Sequence, residues 1–232
     1  MSVLVVTGTE PGVGTTVVTA AVAVLARERG WPVAVVKPAQ TGVCPGEEGD
    51  VDTVIRLSGV TTTFELGRFP EPLSPAAAAK VSGVPPVSMA AAARLVRELA
   101  ESNRLVLVEG TGGLLVRYDE DGATIADLAR VLEAQVLVVA GTVNHTALTL
   151  EALAHRGLDL AGIVIGRWPG ERGIAQRCDV ADLEMLAARP LAGVLPEGAG
   201  ALGPDEFAEV ARNGLAPVLG GVFDPAGFRP SS

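Results

Sequence analysis

Short apolar runs recur along the chain at 3–7, 33–37, 105–109, 136–140, 161–165 and 191–195, each closed by a polar residue, Gly or Pro. Their hydrophobicity is continuous rather than alternating, which predicts strands buried on both faces, as in a parallel sheet. Between them, Ala, Leu, Arg and Glu recur with helical period. That periodicity predicts helices over 16–29, 50–58, 88–101, 124–133, 145–155, 174–188 and 204–212. Strand and helix in alternation predict an α/β chain with a doubly wound, mostly parallel sheet. No internal repeat or linker divides it, so 1–232 reads as one domain, with the Gly- and Pro-rich 224–232 as a loose tail. Ligands of such sheets sit beyond the carboxyl ends of the strands, so chemistry is expected in the residues that follow each run.

The first run leads through Gly-Thr-Glu-Pro-Gly-Val-Gly-Thr-Thr into a helix. Glycines there let backbone N–H groups approach an anion, and the helix N-terminus adds a favourable partial charge. The usual phosphate-binding loop has four residues between its glycines and ends Gly-Lys-Ser/Thr. Here five residues separate Gly8 from Gly14, and Thr15 stands in the lysine position. Thr16 keeps a hydroxyl suited to Mg²⁺; a plain Gly-rich turn is the alternative. The second run ends in Lys37, followed by Pro38, Gln40 and Thr41. Aimed into a pocket, the Lys37 ammonium would neutralise a phosphate or a developing oxyanion; otherwise it snorkels to the sheet edge.

The third run ends in Glu109 with glycines behind it. A carboxylate so placed needs a partner, either a divalent cation or an arginine. Asp50 and Asp52 open the helix at 50–58, and Asp52 reads as a cap or dipole complement. Thr16, an acid at that helix and Glu109 would together make an oxygen-rich Mg²⁺ site beside a phosphate cradle. The expected architecture is therefore a three-layer α/β/α fold of the P-loop NTPase kind.

Composition narrows the function further. A formal net charge of −9 argues against a nucleic-acid partner, and 3% aromatic residues against a base-stacking platform. No run approaches the ~20 apolar residues needed to span a bilayer, and the first residues lack a basic leader, so a cytoplasmic protein without membrane contact is expected. Cys44 and Cys178 stand alone and read as free thiols. Lys37 and Lys80 are the only lysines, which leaves few ammonium groups to replace the one missing from the loop.

These residues resemble the dethiobiotin synthetase family, ATP-dependent enzymes that close the ureido ring in biotin synthesis. The resemblance is carried in order by Thr-Gly-Thr-Glu-Pro-Gly-Val-Gly, Val-Val-Lys-Pro-Ala-Gln-Thr-Gly, Glu-Pro-Leu-Ser-Pro, Val-Glu-Gly-Thr-Gly-Gly, Gly-Thr-Val-Asn-His-Thr and Gly-Arg-Trp-Pro, and it covers nearly the whole chain. It implies a ligase acting on 7,8-diaminononanoate and CO2, with ATP as co-substrate, Mg²⁺ as cofactor and a homodimer whose substrate site lies near the interface. It also implies that Gly8, Thr9, Gly12, Val13, Gly14, Thr15 and Thr16 wrap the triphosphate, while Gly166, Pro196, Glu197 and Gly198 border the base. By the same likeness Thr16, Asp50 and Glu109 hold the metal, and Lys37 with Thr16 forms the catalytic pair. Thr41, Thr111, Gly112, Gly113, Leu114 and Asn144 then orient the diamine and its carbamate.

Five departures crowd this pocket: Thr15 for lysine, Pro11 for a common threonine, Thr111 for alanine, a shorter connection before Asn144, and Arg167 where a small residue is usual. Loss of one preorganised charge-stabilising donor typically costs ~10²–10³ in turnover. Three readings follow: a synthetase with weakened ATP use, a paralogue acting on a related diamine or amino substrate, or a non-catalytic nucleotide-binding protein. Retention of Thr16, Lys37, Asp50 and Glu109 favours the first two.

Overall fold

The structure, a computed structural model, describes residues 2–170 and 174–228. In chain order its elements are β1 (Ser2–Gly8), α1 (Thr15–Glu28), β2 (Val33–Lys37), β3 (Gln40–Thr41), α2 (Asp50–Ser58), β4 (Thr63–Glu65), β5 (Arg68–Phe69), α3 (Pro75–Ser82), α4 (Met89–Ser102) and β6 (Leu105–Gly113). Then come α5 (Ile125–Val131), β7 (Gln135–Ala140), α6 (Val143–His155), β8 (Leu160–Trp168), α7 (Ile174–Ala187), β9 (Gly193–Pro196), α8 (Pro204–Gly214) and α9 (Pro225–Phe228). Seven strands form one parallel sheet in the order β4-β2-β6-β1-β7-β8-β9, and β3 pairs with β5 apart from it.

Period-two alternation assigns each strand residue to a face. Leu4, Val6, Val33, Val35, Leu105, Leu107, Leu137 and Val139 share a core with Val18, Val22 and Leu25 of α1, Val54 and Leu57 of α2, and Phe207 of α8. Val5, Ala34, Val36, Val106, Val108, Val136 and Val138 share the other core with Ala92 and Val96 of α4, Ile125 and Leu128 of α5, Leu153 of α6 and Leu183 of α7. The apolar runs are continuous because both faces are covered. This is the doubly wound three-layer arrangement expected from the sequence.

The boundaries differ where tertiary pairing extends a strand beyond its apolar run. β6 continues past Glu109 to Gly113, because Gly8 still pairs with Gly113 across a register shift between Val6 and Gly8. β9 begins at Gly193, two residues later than the apolar run. The short strands β3, β4 and β5 carry too few residues to show a period, and the helix Pro75–Ser82 lies in an Ala-rich stretch without amphipathic contrast. The tail expected to be loose falls partly outside the described residues. Its described part packs: the Phe228 ring lies 5.2 Å from Trp168 and 5.4 Å from Phe223.

Phe207 is fully buried where α8 packs against α1 and α2. Phe207→Ala should lower unfolding stability by about 3–5 kcal/mol, read as a lower urea midpoint at unchanged slope. Val218→Ala, at a residue 74% exposed, should stay within about 0.5 kcal/mol of the parent.

Candidate active site

The functional side chains converge because of sheet register. β2 and β6 are parallel neighbours with Val36 opposite Val108, so the next residues, Lys37 and Glu109, emerge side by side on the face covered by α1 and α2. The amino-terminal ends of those helices carry Thr16 and Asp50. Lys37 Nζ donates to Glu109 Oε1 at 2.8 Å and to the Gly110 carbonyl at 3.2 Å, and lies 2.6 Å from Asp50 Oδ2. Thr16 Oγ1 donates to the same Glu109 Oε1 at 2.8 Å. Glu109 thus finds its counter-charge in Lys37, neither of the partners considered from sequence. Burial alone would lower the Lys37 pKa, but Glu109 and then Asp50 more than reverse this and hold the ammonium above its ordinary value. Burial pushes the Glu109 carboxyl up, against the pull of Lys37 and Thr16. We take the pair as ionised, because each charge faces an opposite one within 3 Å and breaking it would strand a buried charge.

The loop between β1 and α1 is pinned from several sides. Gly14 has φ of 95°, and a Cβ there would stand 2.6 Å from the Gly166 carbonyl oxygen, so the loop lies directly against the end of β8. No side chain caps α1, which leaves its first N–H groups for an anion. Thr9 Oγ1 accepts from Gly141 N at 2.9 Å, and Glu10 Oε1 accepts from Thr142 N at 3.2 Å. Glu10 Oε2 lies 3.1 Å from His145 Nδ1. Arg167 crosses the loop from the other side, donating to the Gly12 carbonyl at 3.0 Å and to Glu197 Oε1 at 2.6 Å.

A cavity of about 530 Å³ opens over this loop. Gly12, Gly14, Thr15, Thr16, Lys37, Thr41, Asp50, Glu109, Thr111, Gly112, Gly166, Pro196 and Gly198 line it. Gly8 lies beneath the loop, with Thr15 Oγ1 3.0 Å from the point a Gly8 Cβ would occupy. Val13 is turned into the core, and Glu197 reaches the site through Arg167. Thr9, Gly113 and Leu114 line a neighbouring apolar depression of about 300 Å³ with Leu115, Val116 and Leu148. Asn144 lines neither cavity and stands exposed in the first turn of α6. Asp52 caps α2, its Oδ2 accepting from Gly49 N at 2.7 Å.

Sequence reasoning left three residues without a role. Gln40 Oε1 accepts the Asp50 amide at 2.9 Å and sets the start of α2; its place in the Lys-Pro-Ala-Gln-Thr-Gly stretch was the signal that sequence offered. Tyr118, fully buried, accepts from Thr111 N at 2.8 Å, while Thr111 Oγ1 donates to the Ala39 carbonyl. Arg56 donates to the carbonyls of Gly200 and Leu202, tying α2 to the cavity's far wall.

Sheet, loop and strand-end charges define a phosphate-binding-loop α/β protein. Its fold is shared with the septum-site protein MinD of Pyrococcus horikoshii, solved with Mg-ADP, at TM-score 0.57 and 14% identity over 100% of this chain and 99% of that one. Chloroplast FtsY of Physcomitrella patens shares it at TM-score 0.51 and 18% identity, over 90% of this chain and 65% of that one. The AAA domain family model matches residues 2–202. ATP-dependent dethiobiotin synthetase BioD of Frankia casuarinae is 62% identical over 99% of this chain and 98% of its own length. The Saccharopolyspora erythraea protein of the same name is 57% identical over 95% and 98%. The chain belongs to the dethiobiotin synthetase family.

Two outcomes test the site's construction. Lys37→Met, which leaves the buried Glu109 without its counter-charge, should destabilise the fold by about 3–5 kcal/mol, and Lys37→Met with Glu109→Leu should recover much of it in urea titrations. Separately, Glu10 is held below its ordinary carboxyl value, first by His145 and then by the Thr142 amide. A depressed folded pKa gives stabilisation that is complete above the unfolded value near 4.5 and lost as pH falls through the folded one. The melting-temperature gap between parent and Glu10→Gln should therefore close as pH falls below 4.5.

Proposed function

We propose that this protein is a dethiobiotin synthetase of biotin biosynthesis, a cytoplasmic, ATP-dependent ligase built as one domain. One amine of 7,8-diaminononanoate takes up CO2 as a carbamate, ATP phosphorylates the carbamate, and the second amine attacks the mixed anhydride, closing the ureido ring and releasing phosphate. The observation that carries this reading is the convergence of Lys37, Thr16, Asp50 and Glu109 beside the five-residue loop, in a chain more than half identical to synthetases over nearly its full length.

The roles follow from position. The unpaired amides at the start of α1, with Gly12 and Gly14, receive the triphosphate. Lys37, at the junction of loop and strand ends, holds its ammonium toward carbamate and transferred phosphoryl oxygens, where negative charge develops. Thr41, Thr111 and Gly112 line the diamine's side of the cavity. Gly166, Pro196 and Gly198 border the base. The donor set fits Mg²⁺: two carboxylates and a hydroxyl, with the Asp50 side chain 34% exposed toward the cavity, are too few for an all-protein cage. They suit an ion that keeps waters and arrives with a nucleotide's phosphates. Thr16, Asp50 and Glu109 would hold it, and it would supply charge neutralisation for phosphoryl transfer.

The apolar depression bearing Leu115 and Leu148, 45% and 57% exposed, is the surface a homodimer would cover next to the substrate. Among the described residues no helix is long and apolar enough to cross a membrane. A second reading, a related diamine as substrate, draws on Asn144 lying outside both cavities after a β7–α6 connection of only Gly141 and Thr142.

The test pairs the parent with Thr15→Lys in an assay of ATP-dependent ring closure. Both should form dethiobiotin, with turnover higher by about 10²-fold in Thr15→Lys. If neither forms product while both bind nucleotide, the synthetase reading fails and a changed substrate takes its place. Lys37→Ala should lower turnover by at least about 10²-fold with a smaller change in nucleotide affinity.

A further inference from the structure

From the cavity's charge distribution we infer that Arg167 supplies the phosphate-directed positive charge that Thr15 withholds from the loop. The inference rests on the reading that the cavity takes a nucleoside triphosphate. A triphosphate needs cationic partners, and the loop's lysine position holds a neutral residue whose hydroxyl is folded toward Gly8. Among the described residues lining the cavity, the cations are Lys37 and Arg167.

The two differ in what releasing them would cost. Lys37 is 3% exposed and held by two carboxylates and a carbonyl. Before a metal arrives, turning it wholly to the phosphates would leave Glu109, itself 1% exposed, as an uncompensated buried charge. The Arg167–Glu197 pair is 54% and 53% exposed, the kind of ion pair that contributes little and is readily exchanged. Its aliphatic stem is already seated: Arg167 Cγ is 3.2 Å from the point a Gly14 Cβ would occupy, and one guanidinium nitrogen sits on the Gly12 carbonyl. The residue is thus anchored on the phosphate loop itself, one residue after Gly166. Exchange of Glu197 for phosphate oxygens replaces a solvated carboxylate with a more highly charged acceptor that matches the planar guanidinium fork. Arg167 therefore acts as a phosphate-contacting and positioning residue, and Glu197 holds it in reserve while the site is empty.

The experiment measures calorimetric affinities of ATP, ADP and adenosine, with Mg²⁺, for the parent, Arg167→Ala, Arg167→Lys, Glu197→Gln and Thr15→Lys/Arg167→Ala. Parent binding of ATP tests the nucleotide reading; the variants test this inference. Arg167→Ala should weaken ATP and ADP by about ten- to a hundredfold while leaving adenosine unchanged. Arg167→Lys should retain part of the affinity, Glu197→Gln should bind ATP at least as tightly as the parent, and Thr15→Lys should restore ATP binding to Arg167→Ala. Equal losses for adenosine and ATP would make Arg167 a wall of the base site and overturn the inference, as would unchanged ATP affinity in Arg167→Ala. Should Arg167→Ala melt well below the parent, Arg167→Gln, which keeps the stem, takes its place under the same criteria.

Discussion

The site depends on one buried ion pair. Lys37 ends β2 and Glu109 stands beside it on the parallel neighbour β6, and each would be prohibitively placed without the other. Their pairing allows a charged pocket floor at the end of a sheet whose core is otherwise Val, Leu and Ala. Thr16 and Asp50 then join from two helix starts, so four elements meet at one cluster of charges. The cluster is neither saturated nor sealed, since Asp50 remains one-third exposed on the cavity side. That opening is what the proposed function needs if the ion pair is also to act as a reactive centre.

The loop's geometry and its charge are separable. Backbone amides, the positive φ of Gly14 and the close approach of Gly166 form the cradle whatever residue follows Gly14. Thr15 leaves this shape intact and removes only an ammonium. Glu10 and Thr9 fasten one flank of the loop to the start of α6, and Arg167 fastens the other to β8. A loop clamped on both flanks keeps its shape without the extra tie that a lysine on bound phosphate would add.

Much of this was legible in the sequence, for identifiable reasons. Six of the seven strands of the central sheet announced themselves because burial on both faces demands continuous apolar runs, whereas the three-residue edge strand β4 carried none; α2 was bounded correctly because Asp50 and Asp52 mark its start. Lys37, Glu109 and Thr16 stood out because a charge or hydroxyl ending a buried strand or opening a glycine-led helix is chemically conspicuous. Their mutual pairing was not legible, since it follows from the strand order β2-β6-β1, which local pattern does not encode. Gln40 and Tyr118 escaped for the same reason: both act by hydrogen bonds to backbone groups distant in sequence or hidden by burial. Short strands such as β3 and β5 exist only through pairing with each other, so no period announced them.

In the proposed function this pocket couples ATP cleavage to carbon capture on a diamine. Incubation with 7,8-diaminononanoate, ¹³C-labelled bicarbonate and MgATP, followed by ¹³C spectroscopy and phosphate release, tests it most directly. A labelled ureido carbonyl should appear, with one phosphate released per ring closed. Phosphate release without labelled ring, or neither in the presence of bound nucleotide, would contradict it.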